Sequence, residues 1–145
     1  MNKYYKSKFL SNIIIFCSAS IATFSTPPFS FLFLIFVLGF GIYLITLCST
    51  LKQTFIAGWF LGFGWFAFGL YWIGSAFMVA DTYHKVLMPL AIVILPSVLA
   101  IFWGLACVFD KLITKKNQSS LFLIIVFLTL FEYLRAKLFT GFPWL

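Results

Sequence analysis

Gly58-Trp59-Phe60-Leu61-Gly62-Phe63-Gly64-Trp65-Phe66-Ala67-Phe68-Gly69-Leu70-Tyr71-Trp72 carries no charge and consists almost wholly of glycine and aromatic rings. Such a segment has no face to offer water. Turned at 100° per residue, Gly58, Gly62, Gly69 and Ala76 fall within about 40° of one another, with Trp65 and Trp72 along one edge. That is a small-residue ridge on a helix. The Gly58-x-x-x-Gly62 spacing lets a second helix approach closely, where dispersion contacts drive association in lipid. A packing seam is therefore expected at Gly58, Gly62, Gly69 and Ala76. The alternative reading is that the bulky rings beside it, Trp72 among them, and the adjacent gaps shape a groove for acyl chains.

The rest of the chain agrees with a bilayer environment. Of its 145 residues 63% are hydrophobic and only 9% charged, whereas soluble domains need about 25% charged residues to cover their surface. A mean hydropathy of +1.11 leaves no such surface. Water-soluble folds are excluded. The net charge of +7 does not indicate nucleic acid, because the lysines sit in short clusters between apolar runs. They read as topology signals and as contacts to anionic headgroups.

Five stretches are long and apolar enough to span, at 9–26, 29–51, 55–79, 86–109 and 120–140. The expected fold class is thus an all-α integral membrane bundle of five transmembrane helices in a single domain, 1–145. Thr26-Pro27-Pro28, Lys52-Gln53, the polar turn Asp81 to Lys85 and the loop Lys111 to Ser120 separate the spans. With the N-terminus inside, Lys3, Lys6, Lys8, Lys52, Lys111, Lys115 and Lys116 lie on the cytoplasmic side. Lys85, Arg135 and Lys137 lie outside. Seven against three predicts a cytoplasmic N-terminus and a periplasmic C-terminus. A cleaved signal peptide competes for the first span, given Lys3, Lys6 and Lys8 before an apolar run ending in small residues. Pro27-Pro28 leading straight into another span favours an uncleaved helix. Pro96, in mid-span, predicts a bend near Ile92 to Pro96.

Chemistry-bearing residues are sparse. Cys17, Cys48 and Cys107 lie in or beside apolar runs without metal-ligand spacing, as expected of small hydrophobic side chains. His84 belongs to a polar turn. No metal or cofactor site is indicated, and no cysteine has a base nearby in sequence. The fifth span differs, since Glu132, Arg135 and Lys137 follow eleven apolar or hydroxyl residues. At i, i+3 the first two can pair and offset the cost of burial. They are expected near the outer end of that helix. Lys137 either snorkels to headgroups or, with Arg135, binds a lipid phosphate. Thr140-Gly141-Phe142-Pro143-Trp144 then ends the helix, with Phe142 and Trp144 as interfacial anchors.

Glu132-Tyr133-Leu134-Arg135 followed by Thr140-Gly141-Phe142-Pro143-Trp144-Leu145 resembles the membrane motif of bacterial apolipoprotein N-acyltransferases. Gly62-Phe63-Gly64, Gly69 and Trp72 resemble that family's glycine and aromatic helix, and Thr26-Pro27-Pro28-Phe29 its first outer turn. Ala136 and Lys137 depart from the pattern, where a glycine and a bulky apolar residue are expected. The resemblance implies an inner-membrane enzyme that moves an acyl chain from phospholipid onto the N-terminal diacylglyceryl-cysteine of a lipoprotein. It implies a cysteine nucleophile, supported by a glutamate and a lysine, in a nitrilase-like domain outside the membrane. This chain holds no such triad. Its expected role is the membrane part alone, inactive by itself, with phospholipid and lipoprotein acyl chains as partners. Trp72, Glu132, Arg135, Lys137 and Thr140 to Trp144 are the candidate lipid-facing residues. A fragment of a longer sequence, a split gene with a separately encoded catalytic part, and a decaying gene all fit. The competing reading is a small membrane scaffold or transporter-like protein without catalysis.

Overall fold

The structure, a computed structural model, describes the backbone of residues 2–72, 82–114 and 121–139 and the side chains of 8–72, 88–114 and 121–139. Among these residues there are five α-helices and no strand: α1 (Asn2–Ala22), α2 (Ile35–Thr46), α3 (Leu51–Gly69), α4 (Thr82–Ile113) and α5 (Leu121–Leu138). The fold is all-helical.

The glycine helix α3 is central, packed against α1 on one side and α4 on the other. Helix α4 runs antiparallel to it: Gly58 faces Cys107, Gly62 faces Trp103 and Ala100, and Gly104 faces Phe55. A Cβ on Gly62 would lie 3.0 Å from the Ala100 Cα and 2.9 Å from the Trp103 Cβ, so only glycine lets the two backbones come this close. Gly64 faces the opposite way, where a Cβ would stand 2.5 Å from the Phe16 carbonyl oxygen of α1. Helix α5 lies antiparallel along α4 through the ring pairs Phe109–Phe131 at 5.3 Å and Phe102–Phe139 at 6.0 Å. Helix α2 rests on α1 and α3 at Gly41, beside Ser18 and Leu61.

Hydroxyls within the bundle turn back on their own helices. Ser18 donates to the Ile15 carbonyl at 2.7 Å, Ser20 to Phe16 at 2.9 Å and Thr54 to Thr50 at 3.0 Å. This satisfies each donor without water. The outside is apolar instead: Phe36 is 80% exposed, and Leu32, Phe122 and Leu130 also face outward. A surface of that kind suits lipid rather than water. Two stretches, Lys8–Ser25 and Met88–Ile113, are long and apolar enough to cross a membrane. Leu32–Thr46 is apolar but shorter. Helix α5 carries three charges, and α3 is rich in glycine and tryptophan with Lys52 and Gln53 in its first turn, so neither reads as a plain apolar rod.

Several boundaries differ from the sequence expectation. The second helix starts at Ile35, not at Phe29, because the chain first closes a turn: Ser30 donates to the Thr26 carbonyl, Phe31 donates to the Phe24 carbonyl, and Ser30 has φ 55°. The Pro27-Pro28 bond in this turn is cis. Lys52-Gln53 does not end α2 but opens α3, since Thr50 accepts from the Gln53 N–H at 3.3 Å and so caps the new helix. Helix α4 begins at Thr82, inside the stretch expected to be a polar turn, and is continuous through Pro89 and Pro96. Beside Pro96, the Trp59 Nε1 donates to the Ser97 carbonyl at 3.0 Å and the Ser97 hydroxyl to Val93 at 2.6 Å.

Candidate functional site

Helix α5 brings its charged residues inward at one place. The Arg135 Nη2 and Nε donate to Glu132 Oε2 at 2.5 and 3.1 Å, closing the i, i+3 pair. The other oxygen, Oε1, accepts from the Trp103 indole at 2.5 Å. Arg135 is 3% exposed and its guanidinium lies 5.0 Å from the Phe66 ring centroid, a cation–π contact. Trp103 in turn stacks on Trp65 at 6.0 Å and meets Phe66 edge-on at 5.5 Å. One carboxylate thus organises α3, α4 and α5 around a buried cation.

A buried charge is tolerated only when it is paired and hydrogen-bonded. Two of the guanidinium nitrogens meet that condition, whereas Nη1 is buried with no hydrogen-bond partner among the described residues. Glu132 lies about 16 Å along α5 from Leu121 at 1.5 Å per residue, in the last third of the helix, and its partner Trp103 packs on Gly62 and Phe66 of α3.

Beside the carboxylate, a groove of about 540 Å³ opens between α2 and α5. Its walls are apolar, with Ile35, Leu38 and Ile42 on one side and Ile125 and Leu128 on the other. Trp65 and Trp103 form its floor, and Thr26, Thr129 and Glu132 are its polar groups.

The remaining candidates are scattered. Lys137 is exposed, with its ammonium 5.6 Å from the Tyr133 ring centroid. Trp72 is exposed beyond the end of α3. Gly58 and Gly62 lie on the α4 seam, but Gly69 lines an outer crevice of about 260 Å³ with Thr23, Pro27, Pro28 and Tyr71. Ala76 and Thr140, Gly141, Phe142, Pro143 and Trp144 lie outside the described residues. Among the described residues no group of three His, Cys, Asp or Glu side chains is placed to hold a metal ion. Sequence reasoning missed Trp103 and Phe66, while Trp65, placed there along the edge of the ridge, does line the groove. A signal for the first existed, because an indole N–H in an apolar span needs an acceptor.

The model of the apolipoprotein N-acyltransferase N-terminal domain matches residues 18–145. An apolipoprotein N-acyltransferase of Allorhizobium ampelinum is 39% identical over 94 residues, covering 65% of this chain and 18% of the relative. Those of Brucella melitensis and Rhizobium leguminosarum bv. trifolii are 34% and 33% identical over 89% and 94% of this chain, and 26% and 27% of their own lengths. The chain therefore spans about a quarter or less of the relatives it matches. No solved structure matches it. With two membrane-capable helices, a lipid-suited exterior and a family match over most of its length, the chain belongs to the apolipoprotein N-acyltransferases, as their N-terminal domain.

Proposed function

We propose that this chain is the membrane part of an enzyme that transfers an acyl chain from phospholipid to the N-terminal diacylglyceryl-cysteine of lipoproteins. In this reading five helices cross the bacterial inner membrane with the N-terminus in the cytoplasm and the C-terminus in the periplasm. They hold acyl chains in place, while the covalent chemistry belongs to a nitrilase-like segment outside these 145 residues, which by themselves are inactive.

The observation that carries the reading is the groove between α2 and α5, apolar along its walls and lined at one place by Glu132 and Trp103, whose positions are fixed by their mutual hydrogen bond and by the Arg135 ion pair. Its roughly 540 Å³ falls within the range of small-ligand pockets, whose pattern is apolar walls with a few placed polar groups. An acyl chain satisfies the walls, and an ester or amide at its head meets the polar end. Glu132 acts as a positioning residue, fixing Trp103 and Arg135. Lys137, on the surface, supplies a headgroup contact.

Two measurements test this. Photoactivatable phospholipids should cross-link to Ile42 and Ile125 at the groove in preference to Phe9 and Phe36 on the outside. Uniform labelling would remove the groove from the mechanism. In cells depleted of the acyltransferase, the chain alone should leave lipoprotein N-termini unacylated, read by mass spectrometry of the N-terminal peptide. Co-expression with a nitrilase-domain segment should restore acylation if the two parts assemble. Rescue by the chain alone would overturn the inactive-part reading. Failure of both, with a stable chain in the membrane, would favour a non-catalytic scaffold.

A further inference from the structure

At the opposite end of the bundle from Lys137 there is another pocket, of about 350 Å³, that the acyl-transfer reading does not use. Lys8, Ser11 and Asn12 of α1 line it on one side, and Lys52 and Gln53 of α3 on the other. Cys48, in the connection between α2 and α3, completes the wall. Three features give this pocket an anion-seeking character. Lys8 and Lys52 come from different helices yet share one cavity, so two cations converge where a solvated lysine would spread away. The charges of Lys8 and Lys111 both act on the Cys48 thiol, so the field of a third lysine, one that does not itself line the pocket, reaches its wall. The N-terminus of α3 opens here, and a 19-residue helix capped by Thr50 presents the positive end of its dipole to the same space. The nearby carboxylate, Asp110, is buried and acts on Cys107, deeper in the seam. Ser11, Asn12 and Gln53 add neutral donors.

We propose that this pocket binds a phosphate group, either the headgroup of an anionic phospholipid or a free phosphate anion. The site ties α1 and α3 together at this end of the bundle. It is separate from the acyl groove, and its occupant is not consumed by the acyl-transfer reaction. Basic pockets between membrane helices recognise anionic headgroups by this combination of converging lysines and polar donors.

Cys48 is a reporter built into the wall. The full chain is placed in phosphatidylglycerol or phosphatidylcholine vesicles, its membrane insertion is checked separately by alkaline extraction, and Cys48 alkylation by neutral N-ethylmaleimide is followed by peptide mass spectrometry. Slower alkylation in phosphatidylglycerol than in phosphatidylcholine is expected. In the Lys8→Gln/Lys52→Gln variant that difference should collapse, with binding weakened about fivefold for each lysine. Comparing the two lipids within each variant removes the direct effect of lysine charge on thiol reactivity. Millimolar inorganic phosphate added to phosphatidylcholine vesicles separates the sources: protection there assigns the site to the free anion, and its absence with protection by phosphatidylglycerol assigns it to the lipid. Equal rates under every condition would overturn the proposal. So would protection that survives intact in the double variant, because it would then be a property of the charged vesicle surface. Failure to insert would instead count against the membrane reading.

Discussion

Replacing Glu132 by alanine removes the one acceptor that three N–H donors share among the described residues, the Trp103 indole and two nitrogens of Arg135, and strands a guanidinium that is 3% exposed. Breaking a buried pair by deleting one partner costs about 3–5 kcal/mol, mostly from the charge left behind. The Glu132 side chain is itself 31% exposed, so the carboxylate is partly screened and the lower end, about 3 kcal/mol, is expected. Deleting the cation as well should recover part of the loss. The Glu132→Ala/Arg135→Ala double variant keeps only the unpaired indole and the vacated space on Phe66, about 1–2 kcal/mol. A cycle built from these variants and Arg135→Ala should therefore be strongly non-additive, with a coupling of at least about 1.5 kcal/mol. Equilibrium unfolding of the full chain in bicelles, titrated with a denaturing detergent, measures all four corners. A single-variant cost under about 1 kcal/mol, or additive costs around the cycle, would refute the idea that this carboxylate holds three helices together.

Other sites give sharper local tests with the same unfolding assay. Gly64→Ala must push its Cβ away from the Phe16 carbonyl oxygen, which separates α1 from α3; about 1–3 kcal/mol is expected, less up to about 1 kcal/mol of helix propensity. Gly39→Ala, with nothing within 4 Å of the added carbon, should be neutral or stabilise by up to about 1 kcal/mol. Thr50→Ala removes the cap on α3, costing about 0.5–2 kcal/mol, and should speed hydrogen exchange at the Gln53 amide. Trp103→Phe keeps a ring against Trp65 and Phe66 but loses the bond to Glu132, for a loss of about 1.5–3 kcal/mol; no change would mean that the indole hydrogen bond contributes nothing.

What could be read in advance was what the local chain determines. Glycine at positions 58 and 62 on one face specifies where another helix can press, and the i, i+3 spacing of Glu132 and Arg135 puts the two side chains within reach on any helix. The partner surfaces were not legible, because nothing in spacing says that position 103 will meet position 132 or that Phe66 will lie under the guanidinium. Gly64 points at α1, away from the ridge, so the same helix uses two faces where the wheel suggested one seam. The start of α2 was misjudged for a different reason. Phe29 to Leu34 is as apolar as a span, and hydropathy alone does not register that Ser30 turns the chain through the left-handed region before the helix begins.

Because glycines bring α1 and α4 to backbone distance on two faces of α3, those three helices form a wedge that cannot loosen without losing its closest contacts. Helices α2 and α5 sit outside that wedge and touch each other only sparsely. A slot between them can widen like the covers of a book whose spine stays bound. A fatty tail entering sideways from the surrounding leaflet would have to part only those two covers, leaving the spine undisturbed.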